Sequence, residues 1–401
     1  MFFLKTVFCR VFQGAFRIAL PLLPYREPET VTSCSELQRI TEKEKVKSVL
    51  IVTDKGIAEN GLTEPIEEAL KCAKISYTVY DKTCPNPTVH NVEEAYSVYR
   101  QNGCDCLLAV GGGSSMDCAK AVGARAVYPK KSVGKMKGIL RVLRPLPTLV
   151  AVPTTAGTGS ETTLAAIITD SEKHHKYALM SFPLIPHYAV LDPTLTYSLP
   201  KSLTATTGMD ALTHAVEAYI GRSTTKQTRQ LSLDAVKLIF DNIETVYRDG
   251  NNLQARKNML EASYMAGVAF SKSYVGYIHA VAHSLGGQYG TPHGLANAVI
   301  MPYVLRVYGE TVCKKLHRLG IAAGVCTANQ TDKDAAESFI KAIEELNLKM
   351  GIPRKISVIK ADDIPTMAKN AEKEANPLYP VPKLMTVSEL ESIYYQISDW
   401  S

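Results

Sequence analysis

From residue 46 onward, short apolar, β-branched runs alternate with stretches in which apolar residues recur every three or four positions. Residues 46–53 (VKSVLIVT), 76–80 (SYTVY), 106–110 (CLLAV), 149–152 and 188–191 predict strands. Residues 62–74, 92–102 and 118–126 predict helices between them. Strands separated by helices of this length are joined by crossovers, which implies a parallel sheet covered by helices on its faces.

After about residue 200 the strand signal fades. Residues 202–220, 228–247, 253–269, 312–323, 332–346 and 364–375 all carry apolar stripes at helical spacing, as Leu231, Ala235, Leu238 and Ile239 illustrate. Met and aromatic residues on these stripes are expected in the core. The pattern predicts an α/β domain over 27–200, an all-α domain over 201–401, and an apolar, basic segment over 1–26. No internal repeats or low-complexity stretches interrupt them.

Residues 1–24 contain Lys5, Arg10 and Arg17 and no acid. Charges break the apolar stretch and no small-residue cleavage site follows, so a secretory signal is not expected. Docking on the protein body or on a partner subunit is the preferred reading. Peripheral membrane contact and a mitochondrial-type presequence are the alternatives.

Composition narrows the class. Hydrophobic residues make up 46% and charged residues 21%, as in folded globular chains. A net charge of +6, spread along the chain, is too small for a nucleic-acid footprint. The nine cysteines form no CxxC pair and are expected as free thiols in a reducing compartment, the cytoplasm by default.

Gly111-Gly112-Gly113-Ser114-Ser115-Met116-Asp117 follows a predicted strand and opens a predicted helix. Glycines allow close backbone approach, and a helix start offers unpaired N–H groups and partial positive charge, which suits a pyrophosphate. The stretch is neither GxGxxG nor a P-loop, so a tight structural turn is the competing reading. Asp54, at the end of the first sheet strand, could bind a ribose diol and repel a 2′-phosphate, or simply cap the next helix. A second loop, 153–161 (PTTAGTGSE), could wrap a ribose or nicotinamide. The three loops together favour a dinucleotide.

The strongest chemical signal lies in the helical half. Asp210 and His214 are one helical turn apart, and so are His279 and His283, with His293 after a glycine-containing bend. Four of the nine histidines fall within 214–293. One carboxylate and three imidazoles make a four-ligand site for Fe²⁺, Zn²⁺, Ni²⁺ or Mn²⁺, against the alternative of hydrogen-bonded core histidines. A divalent ion lowers the pKa of an alcohol and polarises a carbonyl, and a spare histidine can carry the proton. His90, His174, His175, His187 and His317 are expected to be ordinary surface groups.

The stretches VLIVTDKGI (49–57), PNPT (85–88), GGGSSMDCAK (111–120), PTTAGTGSE (153–161), GMDALTHAVEAY (208–219) and HAVAHSLGGQYGTPHGLANAV (279–299) together resemble the iron-containing (group III) alcohol dehydrogenases. These include lactaldehyde reductases and butanol and propanediol dehydrogenases. The resemblance implies the dehydroquinate synthase-like fold: an N-terminal dinucleotide domain and a C-terminal helical domain, with a metal in the cleft. It implies metal ligation by Asp210, His214, His279 and His293, and a proton-relay role for His283. Asp54, Asn86, Gly112, Gly113, Ser114, Asp117, Thr154, Thr155, Thr158 and Lys176 are the implied cofactor positions.

The implied cofactors are Fe²⁺, with Zn²⁺ or another divalent ion as substitute, and NAD(H) in preference to NADP(H). The implied substrate is a small primary alcohol or aldehyde, handled by a homo-oligomer such as a dimer. Hydroxyacid–oxoacid transhydrogenation and polyol oxidation are alternatives on the same fold. A synthase-type lyase would need a Lys/Arg cluster that 208–220 and 279–299 lack, and a membrane-associated scaffold leaves the Asp/His set unexplained. Four features depart from the family pattern: the long segment 1–24, residues 27–47 without the common glycine-containing hairpin, Leu164-Ala165-Ala166 where several relatives acting on small hydroxyaldehydes have a polar Asn, and the tail 375–382 (ANPLYPVP).

Overall fold

The computed structural model describes residues 2–19, 23–171 and 175–400. In chain order its strands are β1 (Glu29–Val31), β2 (Ser48–Val52), β3 (Ser76–Tyr80), β4 (Cys106–Gly111), β5 (Gly138–Ile139), β6 (Thr148–Pro153), β7 (Ala165–Asp170), β8 (His175–Met180) and β9 (Tyr188–Val190). Its helices begin with α1 (Phe2–Ala19), α2 (Leu37–Lys43), α3 (Lys55–Glu59), α4 (Glu64–Cys72), α5 (Val89–Gln101) and α6 (Gly113–Val127). They continue with α7 (Lys201–Ile220), α8 (Lys226–Arg248), α9 (Leu253–Ser273), α10 (Tyr277–Tyr289) and α11 (His293–Tyr308). The last four are α12 (Glu310–Ala322), α13 (Asp332–Lys349), α14 (Ile364–Ala375) and α15 (Val387–Ile397). The chain divides into two compact units, Pro24–Ser198 and the remainder, α1 belonging with the residues from Leu199 onward.

The first unit is built on a parallel sheet in the order β1-β9-β6-β4-β2-β3. Alternation along each strand feeds two cores. Leu50, Val52, Leu107, Ala109, Leu149 and Ala151 join the apolar faces of α5 and α6. Val49, Ile51, Leu108, Val110, Val150 and Val152 join Leu37, Ile40, Ile66 and Leu70. Both faces are therefore buried, which is why these strands read as continuous apolar runs. The sequence pattern did not predict the small mixed sheet β5-β8-β7, in which β7 and β8 pair antiparallel. Polar residues and exposed positions such as Ile167 blur its period-two signal.

The second unit is helical. α7 is buried on every side from Gly208 to Ile220, so apart from Asp210, Thr213, His214 and Glu217 its sequence there is apolar all round rather than striped. α1 docks through Cys9, Arg10 and Gln13 and leaves Leu4, Val7, Phe8, Val11 and Ile18 exposed. Among the described residues, no helix is long and apolar enough to cross a membrane. All nine cysteines are free thiols.

Candidate functional site

In the helical unit, α7 supplies Asp210 and His214, α10 supplies His279, and α11 opens on His293. One ligand-type atom from each lies within 4.8 Å of every other. His293 Nε2 is 3.5 Å and His279 Nε2 is 4.0 Å from Asp210 Oδ1. The His214 ring stacks between Phe270, at 4.2 Å, and His279, at 4.6 Å. Gly294 makes the close approach possible, because a Cβ there would sit 2.4 Å from the Thr206 carbonyl of α7. Asp210 and His279 are each 2% exposed, and a carboxylate that deep calls for a compensating partner.

Glu217, one turn beyond His214, completes the electrostatics. Its carboxylate accepts hydrogen bonds from the backbone N–H groups of Gly276 and Ile278, both at 2.8 Å, and from His279 Nδ1 at 2.7 Å. Donation through Nδ1 fixes the tautomer and leaves the His279 Nε2 lone pair available as a ligand. Burial pushes the Glu217 carboxyl up to about 7, against the pull of the backbone N–H groups of Gly276, Ile278 and His279. Burial and the neighbouring imidazoles hold His279 well below its usual value, and burial takes His293 down to about 4, so both are neutral donors at pH 7.

The donor set fits a divalent cation. Asn297 Nδ2 lies 2.7 Å from Asp210 Oδ1, 3.1 Å from His293 Nε2 and 3.2 Å from His279 Nε2. Three acceptors thus converge on one weak donor, while Asn297 Oδ1 is buried and finds no partner among the described residues. One carboxylate with three imidazoles suits iron, zinc, nickel or manganese.

His283 is on α10 but outside this cluster. Its ring stacks on His293 with centroids 5.1 Å apart, and its Nδ1 lies 2.6 Å from Glu374 Oε1. Tyr379 Oη donates to the same oxygen at 2.8 Å. Desolvation opposes the His283 imidazolium, but the Glu374 carboxylate outweighs it and raises the histidine above its usual value.

In the α/β unit the triple-glycine turn ends β4, and α6 begins at Gly113 with no side-chain cap and no acid in its first turn. Its unpaired N–H groups and dipole are therefore available to an anion. Gly111 has φ +141°, and a Cβ there would sit 2.6 Å from Ser115 Oγ. Thr155 and Thr158 line the same turn, 3.6 Å and 3.5 Å from the Cβ positions of Gly112 and Gly113. Thr155 Oγ1 and Ser115 Oγ are buried without partners among the described residues. Thr154 N donates to the Gly111 carbonyl at 3.1 Å and ties the second loop to the first.

Asn86, Ser114 and Lys176 also come together: Lys176 Nζ donates to Asn86 Oδ1 at 2.9 Å and Asn86 N to Ser114 Oγ at 3.3 Å. Asp54 caps α3 through Oδ1, which accepts from Ile57 N at 3.0 Å, while its Oδ2 lies beside Gly111. Asp117 turns toward the protein instead, accepting from Ser160 Oγ at 3.2 Å and Ile167 N at 3.1 Å. Lys120 is fully buried, with five oxygens of Ser160, Thr163 and Ala165 within 3.3 Å of Nζ. Burial lowers its ammonium to about 8.

Two histidines expected at the surface are not simple surface groups. His317 is buried, bonded through Nδ1 to Asp332 and through Nε2 to the Thr327 carbonyl. His187 is half-buried and accepts from Leu149 N at the edge of β6. His174 and the side chain of His175 lie outside the described residues.

An Asp–His₃ cluster on one unit and a glycine-rich anion turn on the other define a metal- and nucleotide-type enzyme scaffold. The chain belongs to the iron-containing alcohol dehydrogenase family: the model "iron-containing alcohol dehydrogenase" matches residues 30–193 and "Fe-containing alcohol dehydrogenase family, C-terminal" matches 204–398. It is 39% identical to 1,3-propanediol dehydrogenase of Klebsiella pneumoniae over 87% of this chain and 91% of the relative. It is 36% identical to an NAD-dependent methanol dehydrogenase of Bacillus methanolicus over 86% and 91%. The crystal structure of a 1,3-propanediol oxidoreductase superposes with a TM-score of 0.90 at 37% identity, covering 93% of this chain and 99% of that one.

Glu217, Asn297, Glu374 and Tyr379 escaped the sequence reading. The first two carried a signal, because Glu217 follows Asp210 and His214 on one helix face and Asn297 follows His293 by one turn. Glu374 and Tyr379 lie more than ninety positions from His283, and no spacing rule links them.

Proposed function

We propose that the protein is a metal-dependent dehydrogenase that interconverts small primary alcohols and aldehydes with NAD(H), with iron as the expected ion and zinc as a substitute. The observation that carries this reading is the convergence of Asp210, His214, His279 and His293 within 4.8 Å, with atoms of Asp210, His279 and His293 all facing the Asn297 amide nitrogen. Family membership and the NAD-dependent methanol dehydrogenase relative support it. A divalent cation held there would stabilise an alcohol's oxygen as it ionises, or polarise a carbonyl, and the nicotinamide would accept or supply the hydride.

The chain's own groups do the rest. Asp210, His214, His279 and His293 hold the ion, and Glu217 fixes the His279 tautomer. The α6 N-terminus with Gly112, Gly113 and Ser114 binds the pyrophosphate, and Thr154, Thr155, Thr158, Asn86 and Lys176 shape the remaining contacts. The Asp54 carboxylate, beside Gly111, disfavours a 2′-phosphate and so favours NAD(H). Asp117 contributes by holding Ser160 and Ile167, not by direct contact. His283, oriented by Glu374 through Nδ1, gives or takes the alcohol proton at Nε2. Free thiols accord with work in a reducing compartment.

The test is metal analysis of anaerobically purified protein with a panel of primary alcohols and aldehydes. About one bound ion per chain, with NAD-linked turnover lost on chelation and restored by Fe²⁺, is expected. Full turnover in chelated, metal-free protein would overturn the reading.

A further inference from the structure

We propose that α1 is a clasp that fixes the segment 376–382 and, through Tyr379, holds Glu374 against His283. α1 lies outside both stretches that match the family models, whereas the segment it grips lies inside the second. The grip is polar and directional. Arg10 donates to the carbonyls of Val381, at 2.7 Å, and Pro382, at 3.0 Å, and is itself held by Gln13 Oε1 at 2.8 Å. Gln13, 4% exposed, donates through Nε2 to the carbonyls of Tyr379, at 2.7 Å, and Pro377, at 3.3 Å. Lys5 pairs with Glu372 one turn earlier.

The segment needs such partners. Three of its seven residues are proline, so it has few N–H groups with which to build a ladder of its own, and its buried carbonyls must be satisfied from elsewhere. Between those anchored carbonyls, Tyr379 reaches Glu374 Oε1, the same oxygen that faces His283 Nδ1. Gln13 is thus two hydrogen bonds from the carboxylate that orients the histidine. Arg10 and Gln13 are positioning residues: they touch neither substrate nor metal, and they act on the proton step by fixing where Tyr379 stands.

The catalytic part of this inference rests on the relay role of His283, and the experiment separates the two. In the full-length holoenzyme, Gln13→Leu and Arg10→Met are compared with Tyr379→Phe, with Arg10→Lys as the conservative variant. Amide hydrogen exchange over 376–385 should rise at least about tenfold in Gln13→Leu and Arg10→Met and recover in part in Arg10→Lys. kcat should fall several-fold while bound metal and the KM for NAD stay put, and Gln13→Leu should add little to Tyr379→Phe in a double-mutant cycle. Unchanged exchange in the α1 variants would overturn the clasp. Raised exchange with undiminished kcat in all variants, Tyr379→Phe included, would leave the clasp standing and overturn its link to His283.

Discussion

Glu217 Oε2 lies 2.7 Å from His279 Nδ1, and two backbone N–H groups at the start of α10 hold the same carboxylate. Replacing Glu217 by Gln keeps the size but permits the amide to donate toward Nδ1, which disfavours the tautomer that leaves Nε2 as a ligand. Metal affinity should weaken by roughly 10- to 100-fold. A competition titration with a chromophoric chelator measures this directly, and an unchanged Kd would remove Glu217 from the metal argument.

The histidines should separate by readout. His279→Ala should lose the ion together with several kcal/mol of transition-state stabilisation, roughly a thousandfold in turnover or more. His283→Ala should retain the ion and lose about 10²- to 10⁴-fold in kcat. Metal content beside kcat for each variant checks the division, and metal loss in His283→Ala would contradict it.

Asp54 caps α3 and, in the function proposed above, disfavours a 2′-phosphate; two substitutions divide these roles. Ser keeps a cap on α3 and removes the charge, whereas Gly removes both; an Ala there would cost about 1 kcal/mol as a cap. Both variants should gain NADP(H) turnover relative to NAD(H). A kcat/KM ratio for the two cofactors that does not move in Asp54→Ser would show that the carboxylate does not set the preference.

Glu161 supplies a pH dependence with a definite sign. Burial pushes its carboxyl up to about 7, so between the ordinary carboxylate range and pH 7 the folded chain binds more protons than the unfolded one. Its contribution to stability is therefore present at low pH, is lost as pH rises through that window, and is flat above it. Glu161→Gln should gain thermal stability over the wild type progressively from about pH 4.5 to 7, with an upper limit of about 3 kcal/mol. Thermal denaturation across this range checks it, and a gap that shrinks with rising pH would refute the assignment.

Much of this was legible in the chain because the relevant contacts are local or periodic. β2, β4 and β6 announce themselves as apolar runs since both sheet faces are buried, and Asp210 with His214 reads as a pair because one helical turn separates them. The β7–β8 hairpin was hidden by its polar, part-exposed residues. Glu374 and Tyr379 were hidden for a different reason: the bond from Glu374 to His283 crosses more than ninety positions, and the five-residue step from Glu374 to Tyr379 matches no helical or strand period. The inward turn of Asp117 was equally invisible, since a motif names a residue and not the direction of its side chain.

The ammonium of Lys120 has a consequence for how the glycine-rich surface recognises an anion. A lysine seven positions after three glycines would ordinarily be read as a hand reaching for phosphate, yet this one is folded inward as an internal rivet through the neighbouring strand-to-hairpin connection. Acetylation, or exchange for a neutral side chain, would leave five oxygens crowded around a missing charge and so would distort the threonine-bearing wall without touching any bound molecule. The wall owes its shape to a cation placed behind it.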